Sequence, residues 1–293
     1  LYKNSRRACA GNWTRSLERV FFCAAASGYD AGMASTPTEL PVLYRDQHYI
    51  AVDKPAGMLV HRTWIADGSE FVLQRLRDQI GQRVYPVHRL DRPTSGVLVF
   101  GLNPAATRAL CELFEARAVT KRYLAVVRGY TDTEGVIDYP LREEPGRPAQ
   151  PALTRYRRLA TVELPIPVGR YATTRYSLVE VEPETGRRHQ IRKHFAHIFH
   201  PLIGDTTHGE GRHNRLFRQQ FGIHRLLLFA QRLVFRHPYT QDELAISAPL
   251  PAEFVRLYER FGWPTVTSTG AALHEPISLQ PAQAAGGHGA DCA

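Results

Sequence analysis

Short apolar runs separated by polar or glycine-containing breaks recur along the middle of the chain and predict β-strands. The runs that we interpret as strands are 42–44, 49–53, 97–101, 123–127 and 175–181. Two proline-rich stretches, 140–151 and 164–168, cannot lie inside a central sheet, because proline donates no ladder hydrogen bond. We therefore expect loops or sheet edges there.

Three other segments place apolar residues at helical spacing. The first helix begins at Asn103-Pro104, which is typical of an N-cap followed by proline at the first helical position. The second is predicted from Arg188 to the stop at Pro201, and the third over 251–262. Their apolar faces consist of Ala106, Leu110, Leu113 and Phe114; of Ile191, Phe195, Ile198 and Phe199; and of Phe254, Val255, Tyr258 and Phe261. Because strands and helices intermingle without a regular βαβ alternation, we expect an α+β fold in which helices and loops flank a mixed, largely antiparallel sheet.

The two ends of the chain differ from this patterned middle. Residues 1–38 show no sustained periodicity, and their short apolar run at 20–26 only faintly resembles a signal peptide. We interpret 1–38 as a disordered or mis-annotated extension, with Met33 as the true start, and 266–293 as a disordered tail poor in residues to bury. The folded catalytic domain is predicted at 39–265.

Composition and charge narrow the class of protein. A hydrophobic fraction of 43% excludes wholesale disorder, and no apolar stretch approaches the roughly 18 residues needed to span a bilayer. Four widely spaced cysteines without a CxxC pair favour a reducing compartment, so we expect a cytoplasmic protein. The net charge of +9 is expected for a partner of nucleic acid, although an anionic membrane surface would attract it equally.

A first cluster of candidate chemistry surrounds Asp91. This carboxylate follows His88-Arg89-Leu90 and precedes Arg92 and a Pro-Thr-Ser-Gly turn. Neighbouring cations favour the ionised form, which can act as a nucleophile or a base. The alternative is an exposed surface ion pair of little energetic value.

Two further clusters carry basic and aromatic groups. Tyr123 follows Lys121-Arg122 at a strand start, where it either stacks on a base, acts as a general base or simply packs. Arg188 and Arg192 are predicted to share one helix face, suited to phosphates, to a buried carboxylate or merely to solvent. Nearby histidines recur every three residues, which spreads them around the helix, so we expect no metal site.

Taken together, the motifs resemble the RluA-type pseudouridine synthases over residues 42–263. The motifs are Lys54-Pro55-Ala56-Gly57 with Val60-His61, His88-Arg89-Leu90-Asp91 with Thr94-Ser95-Gly96, Lys121-Arg122-Tyr123, Thr185-Gly186-Arg187 with His189-Gln190-Ile191-Arg192, and Pro201 with Gly204-Asp205. Similarity to a tRNA-modifying subgroup rests on His61-Arg62-Thr63-Trp64, Arg92-Pro93, His197-Ile198-Phe199-His200-Pro201 and Asp205-Thr206-Thr207-His208-Gly209. Phe229 stands where the family carries histidine, which is a departure from the pattern.

The resemblance implies a pseudouridine synthase catalytic fold and an isomerase that flips a uridine of tRNA, at position 65, and rejoins its base to the ribose through carbon. It implies that Asp91 is the catalytic aspartate, that Arg192 pairs with it, and that Tyr123 stacks on the base and moves a proton. The residues that it assigns to RNA binding are Arg62, His88, Arg89, Lys121, Arg187, Arg188 and His189. We expect a monomer that needs neither cofactor nor metal, because the reaction involves no net redox change or hydrolysis.

Three alternatives remain open from the residues alone. They are an rRNA-directed synthase of the same family, a non-catalytic RNA-binding protein, and a hydrolytic glycosidase. A glycosidase normally needs a second carboxylate. Asp53 and Asp205 are better interpreted as structural, with Asp205 placed to orient Arg192.

Overall fold

A computed structural model describes residues 39–61, 71–143 and 146–263 of the 293-residue chain. Both predicted extensions, and the Arg62-Thr63-Trp64 motif, lie outside these residues. The strands of the described ranges are β1 Val42–Arg45, β2 Tyr49–Lys54, β3 Tyr85–Pro86, β4 Ser95–Gly101, β5 Val119–Arg128, β6 Glu134–Asp138, β7 Leu153–Leu164, β8 Thr174–Pro183, β9 Leu228–Arg236 and β10 Glu243–Ser247.

These strands form one sheet in the order β1-β2-β4-β9-β5-β8-β7-β6, with β3 added to β4 and β10 added to β9. Each pairing is antiparallel except the short parallel contact between β4 and β9. The predicted α+β class with a mixed, largely antiparallel sheet is therefore confirmed. Both proline-rich stretches fall between strands apart from Leu164, the last residue of β7.

The helices of the described ranges are α1 Val72–Ile80, α2 Pro104–Glu115, α3 Gln190–His197, α4 Gly211–Phe221 and α5 Ala252–Phe261. The predicted start of α2 is confirmed, since the Asn103 side chain accepts a hydrogen bond from the backbone N–H of Ala106 at 2.8 Å. The predicted α5 is also present, although Val255 is exposed. None of these helices combines the length and the apolar character needed to cross a bilayer.

The prediction for α3 is wrong at both of its ends. The helix begins at Gln190, so the exposed Arg188 lies outside it and does not share a face with the buried Arg192. It ends at His197, and Phe199 points into solvent. The physical reason is that the Thr185 hydroxyl and the Arg187 N–H both donate to the side-chain oxygen of Gln190, which holds 185–189 as a separate turn. At the other end, Phe199 adopts a left-handed conformation in which a helix cannot continue.

The sheet buries a different layer on each of its two faces. On one face, the apolar side chains of α2, α4 and α5 pack against alternate residues of the central strands. On the other, α1 covers the half built from β2 and β4, and α3 covers the half built from β5 and β8. Tyr123 on β5 packs against both of these smaller clusters, so it lies at the seam between them.

The contact of β4 with β9 at the centre of the sheet requires a glycine. Gly96 pairs with Ala230 and has a φ of +113°, a region that favours glycine. A Cβ at Gly96 would lie 2.1 Å from the carbonyl oxygen of Ala230. The Thr94-Ser95-Gly96 motif therefore allows two backbones to approach closely, immediately after the loop that carries Asp91.

We predict that Gly96→Ala lowers the free energy of unfolding by about 3 kcal/mol or more, because it adds backbone overlap to an unfavourable φ. Gly81→Ala is the matched control. Gly81 also has a positive φ, of +64°, but nothing lies within 4 Å of its Cβ position, so its cost should be about 1 kcal/mol. Urea unfolding of both variants checks this, and equal losses would contradict it.

Candidate active site

Asp91 lies in the loop between β3 and β4, which is fixed by its neighbours on both sides. Leu90 is buried against the α1 half of the sheet, and the N–H of Thr94 donates to the carbonyl of Asp91 at 3.0 Å, closing a turn. The short buried strand β4 then begins at Ser95. The Asp91 carboxylate is therefore carried by a tight turn immediately before the central strand β4.

Lys54 holds this loop from beneath. Its side chain is fully buried, and its Nζ donates to the carbonyls of Pro55, Arg92 and Thr94 at 2.8, 3.2 and 2.7 Å. Burial and the nearby Arg225 lower the pKa of Lys54 to about 7, although Asp91 and Asp53 act in the opposite direction. The sequence signal for this role was the alternation Ile50, Val52, Lys54 on β2, which places the amine on an inward-facing position.

Arg192, in the first turn of α3, connects Asp91 to a second carboxylate. The arginine is 4% exposed. Its Nε and Nη2 donate to the two carboxylate oxygens of Asp205 at 2.7 and 2.8 Å, and its Nη1 donates to Oδ2 of Asp91 at 3.3 Å. Because the two-point contact is shorter, Asp205 is the principal partner. The Asp91 side chain, 19% exposed, remains accessible from outside.

Asp205 is a buried anion dedicated to holding Arg192. Burial alone would raise its pKa, but the hydrogen bonds from Arg192 and from two backbone N–H groups outweigh burial and lower it. Those N–H groups belong to Thr207 and His208, each 2.9 Å from Oδ1. The expectation that Asp205 orients Arg192 is confirmed by this geometry.

Tyr123 lies near Asp91, at the seam between the two smaller apolar clusters. Its pKa is raised by burial and by the negative charge of Asp91, so the phenol is uncharged at neutral pH. A neutral ring at the seam of two apolar clusters is suited to stacking on a base. The predicted site residues Asp91, Tyr123 and Arg192 are therefore brought together from three separate stretches of the chain.

His189 and His208 form a hydrogen-bonded pair next to these groups. The Nδ1 of His189 lies 3.0 Å from Nε2 of His208. Burial lowers the pKa of both rings, that of His189 to about 4 although Asp91 opposes the shift. Both rings are therefore uncharged at neutral pH, and two neutral imidazoles can share one N–H between them. This hydrogen bond was not predicted from the spacing of the histidines in the sequence.

The turn before α3 is fixed by Gln190 and Lys121. The Gln190 carboxamide accepts from the hydroxyl of Thr185 and donates to the carbonyl of Leu153, at 2.7 and 2.9 Å. Lys121 donates to the carbonyl of Thr185 at 3.2 Å, and its pKa is lowered to about 8, chiefly by burial. Lys121 therefore has a positioning contact within the fold. Gln190 was missed as a site residue.

The remaining residues predicted to bind RNA differ in exposure. Arg89 and Arg188 are exposed, and Arg89 lies close enough to His61 to contribute to the lowering of its pKa, after burial. Arg187 is half-buried and donates through Nε to the carbonyl of Pro151 at 3.2 Å. Arg62 lies outside the described residues.

His88, by contrast, is used inside the fold. Its Nε2 accepts the N–H of Val99 at 3.1 Å, and its ring stacks on Phe114 with centroids 4.9 Å apart. Burial, with a smaller effect of Lys121, lowers its pKa to about 3. The ring thus joins β4 to α2 as a neutral acceptor, which is a structural role that its place in a basic motif did not indicate.

Phe229, which replaces the histidine of the family pattern, is a core residue. It is fully buried, pairs with Ser95 across the parallel contact, and packs against Phe254 with ring centroids 6.0 Å apart. This position therefore supports the sheet beneath the Asp91 loop without contributing a polar group to the cleft.

The sequence that builds this site matches a known protein family. Residues 48–197 match the sequence profile of the RNA pseudouridylate synthase family. The chain belongs to this family, whose members are isomerases.

Particular relatives agree over nearly their whole length. The chain is 52% identical over 235 residues to the tRNA pseudouridine synthase C of Vibrio cholerae, covering 76% of this chain and 96% of the relative. It is 51% identical over 237 residues to that of Haemophilus ducreyi, covering 77% and 97%. Among solved structures, human RNA pseudouridylate synthase domain containing 1 superposes with a TM-score of 0.59 at 28% identity, covering 75% of this chain and 87% of that chain.

We predict that acid destabilises the fold through His88. A histidine whose pKa is lower in the folded state binds its proton more readily when unfolded. The stability is therefore complete above pH 6.5 and is lost as the pH falls toward the folded value. Between pH 7 and 5 the loss from His88 should be roughly 1 kcal/mol after discounting for partial exposure.

His88→Gln keeps an acceptor for Val99 but cannot titrate, so its unfolding free energy should depend less on pH than that of the wild type. Urea unfolding at several pH values between 7 and 5 measures the difference. His224→Gln, at an exposed histidine, is the control. Parallel pH profiles for the wild type and His88→Gln would show that His88 is not the titrating group.

Proposed function

We propose that this protein converts a uridine of tRNA to pseudouridine, with Asp91 as the catalytic carboxylate. The observation that carries the proposal is the contact of Arg192 with Asp91, beside which Tyr123 lies near enough for the charge of Asp91 to raise its pKa. The tRNA substrate is supported by relatives that are about half identical and named tRNA pseudouridine synthase C.

Asp91 performs the step that breaks and remakes the glycosidic bond. In the reaction the N1–C1′ bond breaks, the base turns, and C5 bonds to C1′; one proton leaves C5 and one arrives at N1, so atoms and charge balance. The Arg192 guanidinium orients the Asp91 carboxylate through its Nη1 contact while the flipped nucleotide excludes water. Since Nη1 is bound only at 3.3 Å, Asp91 can move toward the substrate without breaking the Arg192–Asp205 pair.

Tyr123 supports the turning base. Its neutral ring stacks on uracil, and its hydroxyl, placed near Asp91, is the group suited to move the proton between C5 and solvent. The exposed guanidinium groups of Arg89 and Arg188, and Arg62 beyond the described residues, bind phosphates or fill the gap left by the flipped nucleotide. Arg187, Lys121 and His189 contribute mainly by fixing the turn before α3.

A hydrolytic reaction is disfavoured by the state of the second carboxylate. Asp205 is buried, bound at both oxygens by Arg192, and held ionised. It cannot supply the proton that a leaving group needs in a glycosidase. Of these two carboxylates only Asp91 is available to act, which suits an isomerisation.

The proposal also includes the cellular compartment, the oligomeric state and the target nucleotide. We place the protein in the cytoplasm as a monomer, with uridine 65 of tRNA as its target. The uncombined thiol of Cys111 suits a reducing compartment. The balanced reaction given above calls for neither a metal nor a cofactor.

Purified wild-type protein should release tritium from tRNA labelled at C5 of uridine, and Asp91→Asn should lower this release by at least about 10²-fold with tRNA affinity nearly unchanged. The substitution keeps the shape of the side chain and removes its charge. Asp242→Asn, at an exposed aspartate in the β9–β10 turn, is the control and should act like the wild type. Mapping the product nucleotide tests position 65, and parallel reactions on rRNA test the substrate class. Appreciable residual isomerisation by Asp91→Asn would remove Asp91 from its role.

Arg192→Lys should lower the single-turnover rate by at least about tenfold while changing tRNA affinity by less than about threefold. Lysine keeps the charge but cannot bind two oxygens of Asp205 and one of Asp91 at once. Arg256→Lys, at an exposed arginine of α5, is the control and should leave the rate unchanged. Rates and affinities are measured over a salt series, below the melting temperature of each variant. A phosphate contact would instead change the salt slope by about one unit, and an unchanged rate would place Arg192 outside the active site.

A further inference from the structure

Phe199 is an apolar side chain in an unusual position. It is 79% exposed, more than any other large apolar residue that the structure describes. Its backbone φ is +64°, in the left-handed region that a residue with a Cβ adopts at a cost. It follows α3 by two residues, within the His197-Ile198-Phe199-His200-Pro201 motif that the chemistry above does not use.

The fold alone gives no reason for a phenylalanine there. Left-handed residues just after a helix are usually glycine, and α1, α4 and α5 end on Gly81, Gly222 and Gly262, each with a positive φ. α3 ends instead on a large apolar residue that buries little surface. Both the backbone strain and the exposure of the ring therefore disfavour this residue unless another molecule contacts it.

The ring is displayed by an ordered backbone. The N–H of Phe199 donates to the carbonyl of Ala196 at 3.1 Å, and that of His200 donates to the carbonyl of Phe195 at 2.8 Å. The guanidinium of Arg128, at the end of β5, donates through Nη2 to the carbonyl of Phe199 at 3.1 Å and is paired with Glu210. A preformed support of this kind lowers the entropic cost of binding through the ring.

The surroundings of Phe199 are aromatic and include one arginine, Arg128, which is paired with Glu210. Arg128 lies directly beneath it, and the exposed ring of Tyr139 stacks on His197 at the end of α3, with centroids 3.7 Å apart. At the other end of this eight-residue helix, Arg192 contacts Asp91. Phe199 follows Arg192 by seven residues, which corresponds to about 10 Å along the direction of the helix at 1.5 Å per residue.

We propose that Phe199 stacks against a nucleobase of the bound tRNA, outside the flipped uridine, and thereby positions the tRNA over the active site. Aromatic rings next to cations are the usual platform for bases in RNA recognition. A second copy of this chain fits less well, since it would bring another protein of charge +9 against the same arginine. The proposal rests on the proposed tRNA substrate and adds a positioning residue to it.

Replacing Phe199 with glycine should move stability and affinity in opposite directions. Phe199→Gly relieves the strained φ, and the extra freedom of glycine when unfolded offsets part of the gain. The melting temperature should stay unchanged or rise by up to about 3 °C. The affinity for unmodified tRNA should fall about tenfold through loss of one stacking contact, with a higher KM and a nearly unchanged single-turnover rate at saturating tRNA. Phe199→Trp, which keeps a ring, should retain affinity within about threefold.

Gln241→Gly is the matched control, because Gln241 is also exposed and also has a φ of +64°, in the turn between β9 and β10. It should gain stability in the same way and bind tRNA like the wild type. Normal tRNA affinity in Phe199→Gly would overturn the proposal. So would a loss of self-association in sedimentation without a change in affinity, which would identify a second copy as the occupant. Absence of turnover in the wild type would contradict the proposed function alone, since the affinity of the variants for tRNA would still decide the role of Phe199.

Discussion

The site depends on one buried guanidinium that serves two carboxylates. A buried arginine is tolerated only with a well-formed ionic partner, and Asp205 supplies that partner with both of its oxygens, leaving Nη1 for Asp91. The loop that carries Asp205 needs Gly204, whose φ is +79° and whose Cβ would lie 1.9 Å from the carbonyl oxygen of Arg225. The strong, buried Arg192–Asp205 pair thus permits the weaker, accessible Arg192–Asp91 pair, which is the one that the proposed reaction uses.

The position of this pair follows from how the sheet is covered. One face is fully packed by α2, α4 and α5, whereas the other is covered in two halves by α1 and α3. Two small clusters that do not merge leave a seam, and Tyr123 lies on it because β5 runs between them. The Asp91 loop reaches the seam from the α1 half and Arg192 from the α3 half. Groups from both halves therefore meet at the seam, which is where the proposed reaction would place its flipped base.

Sequence patterns predicted the strands and helices that are marked by local apolar runs. They failed for segments and residues whose polar side chains are held inside the fold. Strands β2, β4, β5 and β8 and helices α2 and α5 were recognisable from their spacing. β7 was missed because three arginines, Arg155, Arg157 and Arg158, make its first half polar, and because the pairing register shifts between Arg158 and Ala160. The arginine side chains are held by ion pairs or hydrogen bonds that only the folded chain provides. Asp91, Tyr123 and Arg192 could be named from motifs, whereas Lys54 was noted only as part of a motif and His88 was expected to bind RNA. Their roles depend on carbonyls and N–H groups contributed by distant strands, which no local window contains.

The short helix α3 shows how stability and function are balanced in this protein. Both flanks of the helix carry non-glycine residues with positive φ, His189 at +56° before it and Phe199 at +64° after it, and such residues each cost about 1–2 kcal/mol. A helix selected for stability alone would use a polar N-cap and a terminal glycine. At the start of α3, the left-handed turn presents the His189 ring to His208 and begins the helix at the register that buries Arg192. At the end of α3, a second left-handed residue turns the ring of Phe199 outward. Since the strained backbone of His189 serves the interior of the site, we interpret that of Phe199 as serving its outer surface, where the proposed tRNA substrate would bind.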